Sequence, residues 1–215
     1  MRVHRRQSVL FFVVAAIAAP ATAAAQASVE LGPFVAAYAP LGSFRAGDYG
    51  STALPIKPSD LGGLAWGAQG RFWLNPRVGI QVQAAVATSR FGGGVYTPAG
   101  LVTSPKDATV VTLTAQVAYR PLRSSPTVVL SAGAGMVRHG GEAYGWPALQ
   151  GLNPVAVALG VGSDLHIGHW LTATLGVTTL LYYMDVHDDF NQHYERGIQA
   201  DLLPHLTLAW GSRRQ

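Results

Sequence analysis

The feature that most limits what this chain can fold into is a hydrophobic alternation of period two, repeated along its length after residue 28. Successive side chains of a strand point to opposite sides, so this period marks strands whose two faces meet different surroundings. From residue 77, Val78, Ile80, Val82, Ala84 and Val86 share one face, opposite Gly79, Gln81, Gln83, Ala85 and Ala87. From residue 108, Val111, Leu113, Ala115, Val117 and Tyr119 oppose Val110, Thr112, Thr114, Gln116 and Ala118. Between residues 165 and 183, Leu171, Ala173, Leu175, Val177 and Leu181 face away from Trp170, Thr172, Thr174, Gly176 and Thr178. In the last segment, Ile198, Ala200, Leu202, Leu206, Leu208 and Trp210 oppose Gly197, Gln199, Asp201, His205 and Thr207. Four further segments, at 29–39, 62–74, 127–138 and 154–165, bring the predicted strands to eight. Each is long enough for a tilted membrane-crossing strand, which needs about 9–11 residues.

The connections alternate in length. Asn75-Pro76-Arg77, the stretch 121–126 (PLRSSP) and Ile167-Gly168 read as short turns, where Pro and Gly supply the backbone geometry. The stretches 40–61, 91–107, 139–153 and 186–194 read as longer polar or glycine-rich loops. Three short turns on one side, four long loops on the other and both strand ends on the short side form the layout of an outer-membrane barrel.

The two faces differ in kind. One is nearly all aliphatic or aromatic; the other mixes Gln, Thr, Ser and Gly with an occasional charge. A soluble sandwich would load its polar face with Lys and Glu, yet charged residues make up only 12% of this chain. That is about half of ordinary usage. A barrel in lipid accounts for both faces, with the apolar one outward and the small polar one in the lumen. Closure is compulsory there, because an open sheet edge in hydrocarbon leaves backbone groups unpaired. Tyr38, Trp66, Phe72, Trp73, Phe91, Tyr119, Trp170, Tyr183 and Trp210 stand near strand ends and read together as interfacial girdles.

The first 27 residues read as a secretory signal peptide. Arg2, Arg5 and Arg6 precede an apolar run at 9–19, and Ala25-Gln26-Ala27 closes it, with cleavage expected before Ser28. The 11-residue run is too short for a membrane-spanning helix. Three of the 15 basic residues leave with this segment and none of the 11 acids does, so the formal charge falls from +4 to +1. The basic balance therefore belongs mostly to the leader, and a nucleic-acid partner loses its support. The absence of cysteine excludes a disulfide framework, a thiolate metal site, a cysteine nucleophile and cysteine lipidation.

Residues 28–215 resemble the small eight-stranded outer-membrane β-barrels, the OmpA/OmpX-like transmembrane domains. The resemblance is carried by the run from Trp73 through Asn75-Pro76-Arg77 to Ile80, Tyr119-Arg120-Pro121, Ser131-Ala132-Gly133-Ala134-Gly135 and the closing Leu206-Thr207-Leu208-Ala209-Trp210. It implies an all-β, antiparallel up-and-down transmembrane barrel in the bacterial outer membrane, inserted by the barrel-assembly machinery. Trp210 resembles the terminal aromatic residue by which such chains are recognised, although residues 211–215 follow it. No peptidoglycan-binding domain is expected after the last strand.

Candidate chemistry is sparse. Ser163, Asp164 and His166 have the residue types of a triad, but alternation points Ser163 away from Asp164. The glycine pairs Gly133/Gly135 and Gly160/Gly162 precede no helix and read as room-makers in a narrow barrel, not dinucleotide loops. Asp185, His187, Asp188, Asp189, His193 and Glu195 offer oxygen and imidazole ligands to a divalent cation. A solvated acidic loop explains the same residues more simply. Glu30, Arg71, Asp164, Asp201 and His205 are the charges expected to point inward, with Glu30 and Arg71 meeting near the turn side. Glu30, Arg71, Asp201 and His205 are the expected lumen polar cluster.

Eight strands enclose side chains or one small ligand, not a wide pore. The expectation is a non-enzymatic barrel without cofactor, its lumen largely plugged, serving envelope structure or loop-mediated surface interaction. A lipid-modifying outer-membrane enzyme and a secreted lipocalin-like barrel are the alternatives. The first would resemble the lipid A palmitoyltransferase or deacylase barrels; the deacylase type uses His and Ser close together near the last strands, whereas His187, His193 and His205 have no serine beside them before Ser212. A lipocalin-like barrel would need a charged exterior.

Overall fold

A computed structural model describes residues 28–41, 62–97, 100–122, 126–141, 154–187 and 193–211. Eight strands run in chain order: β1 (Ser28–Pro40), β2 (Gly63–Trp73), β3 (Val78–Thr97), β4 (Gly100–Tyr119), β5 (Thr127–Gly140), β6 (Val155–Ile167), β7 (Leu171–His187) and β8 (His193–Gly211). Every neighbour pairs antiparallel, and β1 pairs with β8, so the sheet closes into an up-and-down barrel. Closure removes the sheet's free edges. The seam is the least continuous ladder. Glu30 and Leu31 pair with Gly211 and Trp210, the register resumes at Phe34↔Thr207, and it breaks again between Ala36↔His205 and Ala39↔Leu202. Pro33 falls in the first gap and Pro204 in the second, each lacking the N–H a ladder needs.

The alternation carries through packing. Along β4, Ala108, Val110, Thr112, Thr114, Gln116 and Ala118 are buried, while Val111, Leu113, Ala115, Val117 and Tyr119 are exposed. Large apolar side chains cover the outside on every strand, among them Leu31, Leu64, Val82, Leu130, Val161, Leu175 and Leu206. Glutamine, threonine and paired charges lie inside. This inside-out partition is what hydrocarbon surroundings require and water does not.

The short turns are built by local chemistry. Asn75 Oδ1 accepts the backbone N–H groups of Arg77 (2.8 Å) and Val78 (2.9 Å), folding 74–77 into an Asx-type turn. Gly168 supplies a φ of 71° in the β6–β7 turn, a left-handed conformation that favours glycine.

Two expectations change. The stretch 91–107 is ladder, not loop: β3 and β4 pair continuously from Arg90↔Asp107 to Thr97↔Gly100. Antiparallel pairing satisfies its own backbone groups, so a hairpin can extend past the apolar belt. Val95, Tyr96, Val102 and Thr103 favour that extension, and the glycines at 92–94 masked it in the sequence. Likewise both described ends of the 186–194 link are strand, since Val186 pairs with Glu195 and His187 with His193 across a register shift; residues 188–192 lie outside the described residues. The second change concerns the girdle. Trp66, Phe72, Tyr119, Trp170, Tyr183 and Trp210 are exposed on the outside, but Tyr38 and Trp73 are buried in the lumen. Parity decides it: Tyr38 follows Glu30 and Phe34, and Trp73 follows Gln69 and Arg71. The side chain of Phe91 lies outside the described residues.

Candidate functional site

The lumen holds two polar groups of different character. The one nearer the short turns is a four-charge cluster. Glu30 on β1 stands directly across from Arg71 on β2 in the sheet register, with 3.9 Å between Arg71 Nη1 and Glu30 Oε2. The tighter partner of Arg71 comes from across the barrel, where its Nη1 donates to Asp164 Oδ1 on β6 at 2.7 Å. Arg120, just past β4, supplies the second cation: its Nη2 lies 3.1 Å from Asp164 Oδ2 and 3.4 Å from Glu30 Oε1. Two carboxylates and two guanidiniums thus alternate, and their formal charges cancel. Thr174 Oγ1 on β7 donates to Asp164 Oδ1 at 2.7 Å. The Arg120 guanidinium also stacks 3.5 Å from the ring centre of Trp73, a cation–π contact. Trp73, Ala118 and Val129 pack together as an apolar cluster beside the charges.

A chain of amides rises from this cluster. Arg71 Nε donates to Gln81 Oε1 at 2.7 Å, and Gln81 Nε2 donates to Gln116 Oε1 at 3.0 Å. Gln116 Oε1 also accepts from Ser131 Oγ at 2.9 Å. On the other side, the Gln69 oxygen, when turned to the guanidinium, accepts from Arg71 Nε and Nη2 at 2.9 and 3.1 Å. The Gln69 and Gln83 amides touch at 2.6 Å, and Gln83 meets Thr178 Oγ1 at 3.1 Å. Long polar side chains therefore extend from β2, β3 and β4, whereas β5, β6 and β7 place glycines on the inward register: Gly133, Gly135, Gly160, Gly162 and Gly176. One wall supplies the filling and the opposite wall the room. A Cβ added to Gly133 would stand 2.1 Å from the Ala115 carbonyl oxygen.

The second group sits toward the long loops, where the interior turns apolar around Phe34, Ala65, Ala85, Ala156, Ala158, Leu180 and Leu203. Asp201 on β8 is buried there, and its Oδ2 accepts the hydroxyls of Tyr38 (2.9 Å) and Tyr182 (3.0 Å). His139 Nε2 lies 3.4 Å from the Tyr182 hydroxyl. His205 is separate from both groups: its Nδ1 meets the Leu203 carbonyl at 3.0 Å and its ring tilts against Phe34 at 5.7 Å.

Of the residues singled out in the sequence, Glu30 and Arg71 therefore come together with Asp164, while Asp201 and His205 lie elsewhere on β8. Arg120, Trp73, Tyr38 and Tyr182 were not foreseen as lumen partners. Ser163 stands on the outward register of β6 while Asp164 turns inward, and His166 Nδ1 meets Thr172 Oγ1 at 3.2 Å, so this trio does not assemble. Asp188 and Asp189 lie outside the described residues, as do the side chains of Asp185, His187, His193 and Glu195. Among the described residues, no three His, Asp or Glu side chains gather in a way that could hold a metal ion.

Fold and lumen together define a small eight-stranded barrel of the outer-membrane type. The solved structures it resembles are of that kind. Neisserial surface protein A (NspA) is matched with a TM-score of 0.52 and 10% identity, over 87% of this chain and 99% of that one. The outer membrane protein OprG from Pseudomonas aeruginosa is matched with a TM-score of 0.53 and 10% identity, over 88% and 96%. At such identity the likeness is one of fold. No protein-family model matches the sequence, and no curated protein does.

Proposed function

We propose that this chain is a non-enzymatic outer-membrane barrel, exported with removal of residues 1–27 and inserted by the barrel-assembly machinery. Its lumen is filled by its own side chains, and it serves envelope structure or surface interaction through its loop side. The observation that carries this reading is the four-charge cluster Glu30–Arg71–Asp164–Arg120 beneath the amide chain, with Trp73 packed on Arg120. Charges drawn from β1, β2, β6 and the β4 end reach one another only if the lumen is crossed from wall to wall. Buried charges of this kind are retained when paired. The apolar exterior supports outer-membrane lipid as the immediate surroundings, and the continuous β3–β4 hairpin supports a projection on the loop side.

Planar-bilayer recording on the folded barrel tests the filled lumen, with fractionation of cells testing its place. Outer-membrane fractionation with no large, stable conductance is expected. Stable large-conductance channels would overturn the filled lumen, and recovery in the periplasm would overturn the membrane reading.

A further inference from the structure

Arg71 and His205 both turn into the lumen, yet no hydrogen bond joins them. Between them lies a cavity of about 10 Å³, to which Gln81, Ser131 and Thr178 also contribute. Its floor is the glycine wall at Gly160 and Gly162. The volume is on the scale that admits a single water, about 10–15 Å³. Polar groups with unused capacity line it. His205 Nδ1 lies 3.0 Å from the Leu203 carbonyl oxygen, which can only accept, so Nδ1 carries the ring proton. In the neutral ring Nε2 is then an acceptor. It stands against the same glycine wall, since a Cβ on Gly176, the register partner of Gly162, would lie 3.0 Å from it. No described side chain donates to Nε2. Ser131 Oγ gives its proton to Gln116 Oε1 and Thr178 Oγ1 gives its proton to Gln83 Oε1, so each oxygen keeps lone pairs. The Arg71 guanidinium carries more N–H groups than its contacts to Gln81, Asp164, Thr174 and Gln69 engage.

We infer that this cavity is a binding site for one water molecule that joins Arg71 to His205; that it holds one water and not a column of them rests on the filled lumen proposed above. The water accepts from the Arg71 guanidinium and donates to His205 Nε2 and to the oxygen of Ser131 or Thr178. These are the about two to four polar partners that a buried water requires. The lining selects water over other occupants of the same size. The charges of the Glu30–Arg71–Asp164–Arg120 cluster already cancel, so an added ion would be buried without a counter-charge. An apolar guest would leave the acceptors and the guanidinium unsatisfied. The water makes one hydrogen-bonded network of the four-charge cluster and β8, which direct side-chain contacts leave apart.

The test uses the full folded barrel in bicelles, with protonated histidine rings and Ala and Leu methyls in a deuterated background. The readout is magnetisation transfer from water to the ring C–H protons of His205, with His205→Gln assigning the signal. Transfer to His205 is expected, together with an Nε2 chemical shift of a nitrogen that accepts a hydrogen bond. Gly162→Ala is the deciding variant. Its methyl enters the cavity with the nearest atoms at 3.4 Å, an ordinary contact, so the water is displaced while the hydroxyls of Ser131 and Thr178 stay. Loss of the transfer in Gly162→Ala is expected. Transfer that persists there would come from the exchanging hydroxyls and would overturn the site. Absence of transfer in the parent, or an Nε2 shift of an unbonded nitrogen, would overturn it without need of any variant, and would leave the filled lumen standing. The methyls of Ala85 and Leu180 report on the apolar half of the lumen and should receive nothing. Transfer reaching them as well as His205 would reveal a water column and overturn the filled lumen and the single water together.

Discussion

Arg71 and Asp164 are 93 positions apart in sequence, yet Arg71 Nη1 donates to Asp164 Oδ1 at 2.7 Å across the lumen. Arg71 is 4% exposed and Asp164 fully buried, so neither charge has water as an alternative partner. Removing one member leaves the buried cluster with one uncancelled charge, although Arg120 still faces Asp164 and Glu30 still faces Arg71. Arg71→Ala and Asp164→Ala should each destabilise the barrel by about 3–5 kcal/mol, the cost of an uncompensated buried charge. The double variant should lose much less than the sum, because the two share one interaction. Urea unfolding of the barrel in micelles, followed by tryptophan fluorescence, gives all three values.

Trp73 packs against Arg120 as well as Ala118 and Val129. Trp73→Ala should cost about 3–5 kcal/mol through the cavity it leaves. Trp73→Phe keeps a ring under the guanidinium and should cost clearly less. Equal losses in the same urea experiment would show that the ring face has no role.

The glycine wall predicts a graded response. An added Cβ at Gly133 would meet the Ala115 backbone carbonyl at 2.1 Å, whereas at Gly162 the nearest atoms are at 3.4 Å. Gly133→Ala should therefore reduce the yield of heat-modifiable barrel, and Gly162→Ala should fold as the parent does. The comparison checks whether inward glycines accommodate close packing or merely tolerate it.

Depth on the lipid face gives a further prediction. Val161 lies mid-strand on β6 and Ile167 at its short-turn end, and both are exposed. Val161→Arg should destabilise by about 2–4 kcal/mol and Ile167→Arg by about 0–1 kcal/mol, since the cost of a cation falls toward the interface. Unfolding in lipid vesicles measures the difference.

The strands were legible because lipid outside and a narrow lumen inside impose opposite chemistries on adjacent residues. Even parity could have placed Tyr38 and Trp73 correctly, since each shares its register with inward charges; reading aromatics as girdle residues obscured it. Arg120 was harder to find. It follows the last residue of β4, where alternation no longer assigns a face, and only the closed barrel brings it to Glu30 and Asp164. The Arg71–Asp164 contact was invisible for a related reason. Pairing in a sheet joins neighbours such as Glu30 and Arg71, while contacts across the lumen depend on side-chain length and on the glycines opposite. The separation of Asp201 from the four-charge cluster likewise follows from height along β8, which parity does not encode.

The apolar register meets lipid and the polar register does not. The sequence has no cysteine, so single-cysteine spin labels can be placed at will along β4. The measurement is nitroxide accessibility to oxygen dissolved in the bilayer for labels at 111–118 in the barrel reconstituted in vesicles. High accessibility at positions 111, 113, 115 and 117 and low accessibility at 112, 114, 116 and 118 is the predicted result. Uniform accessibility, or lipid contact at the positions of Thr114 and Gln116, would contradict it.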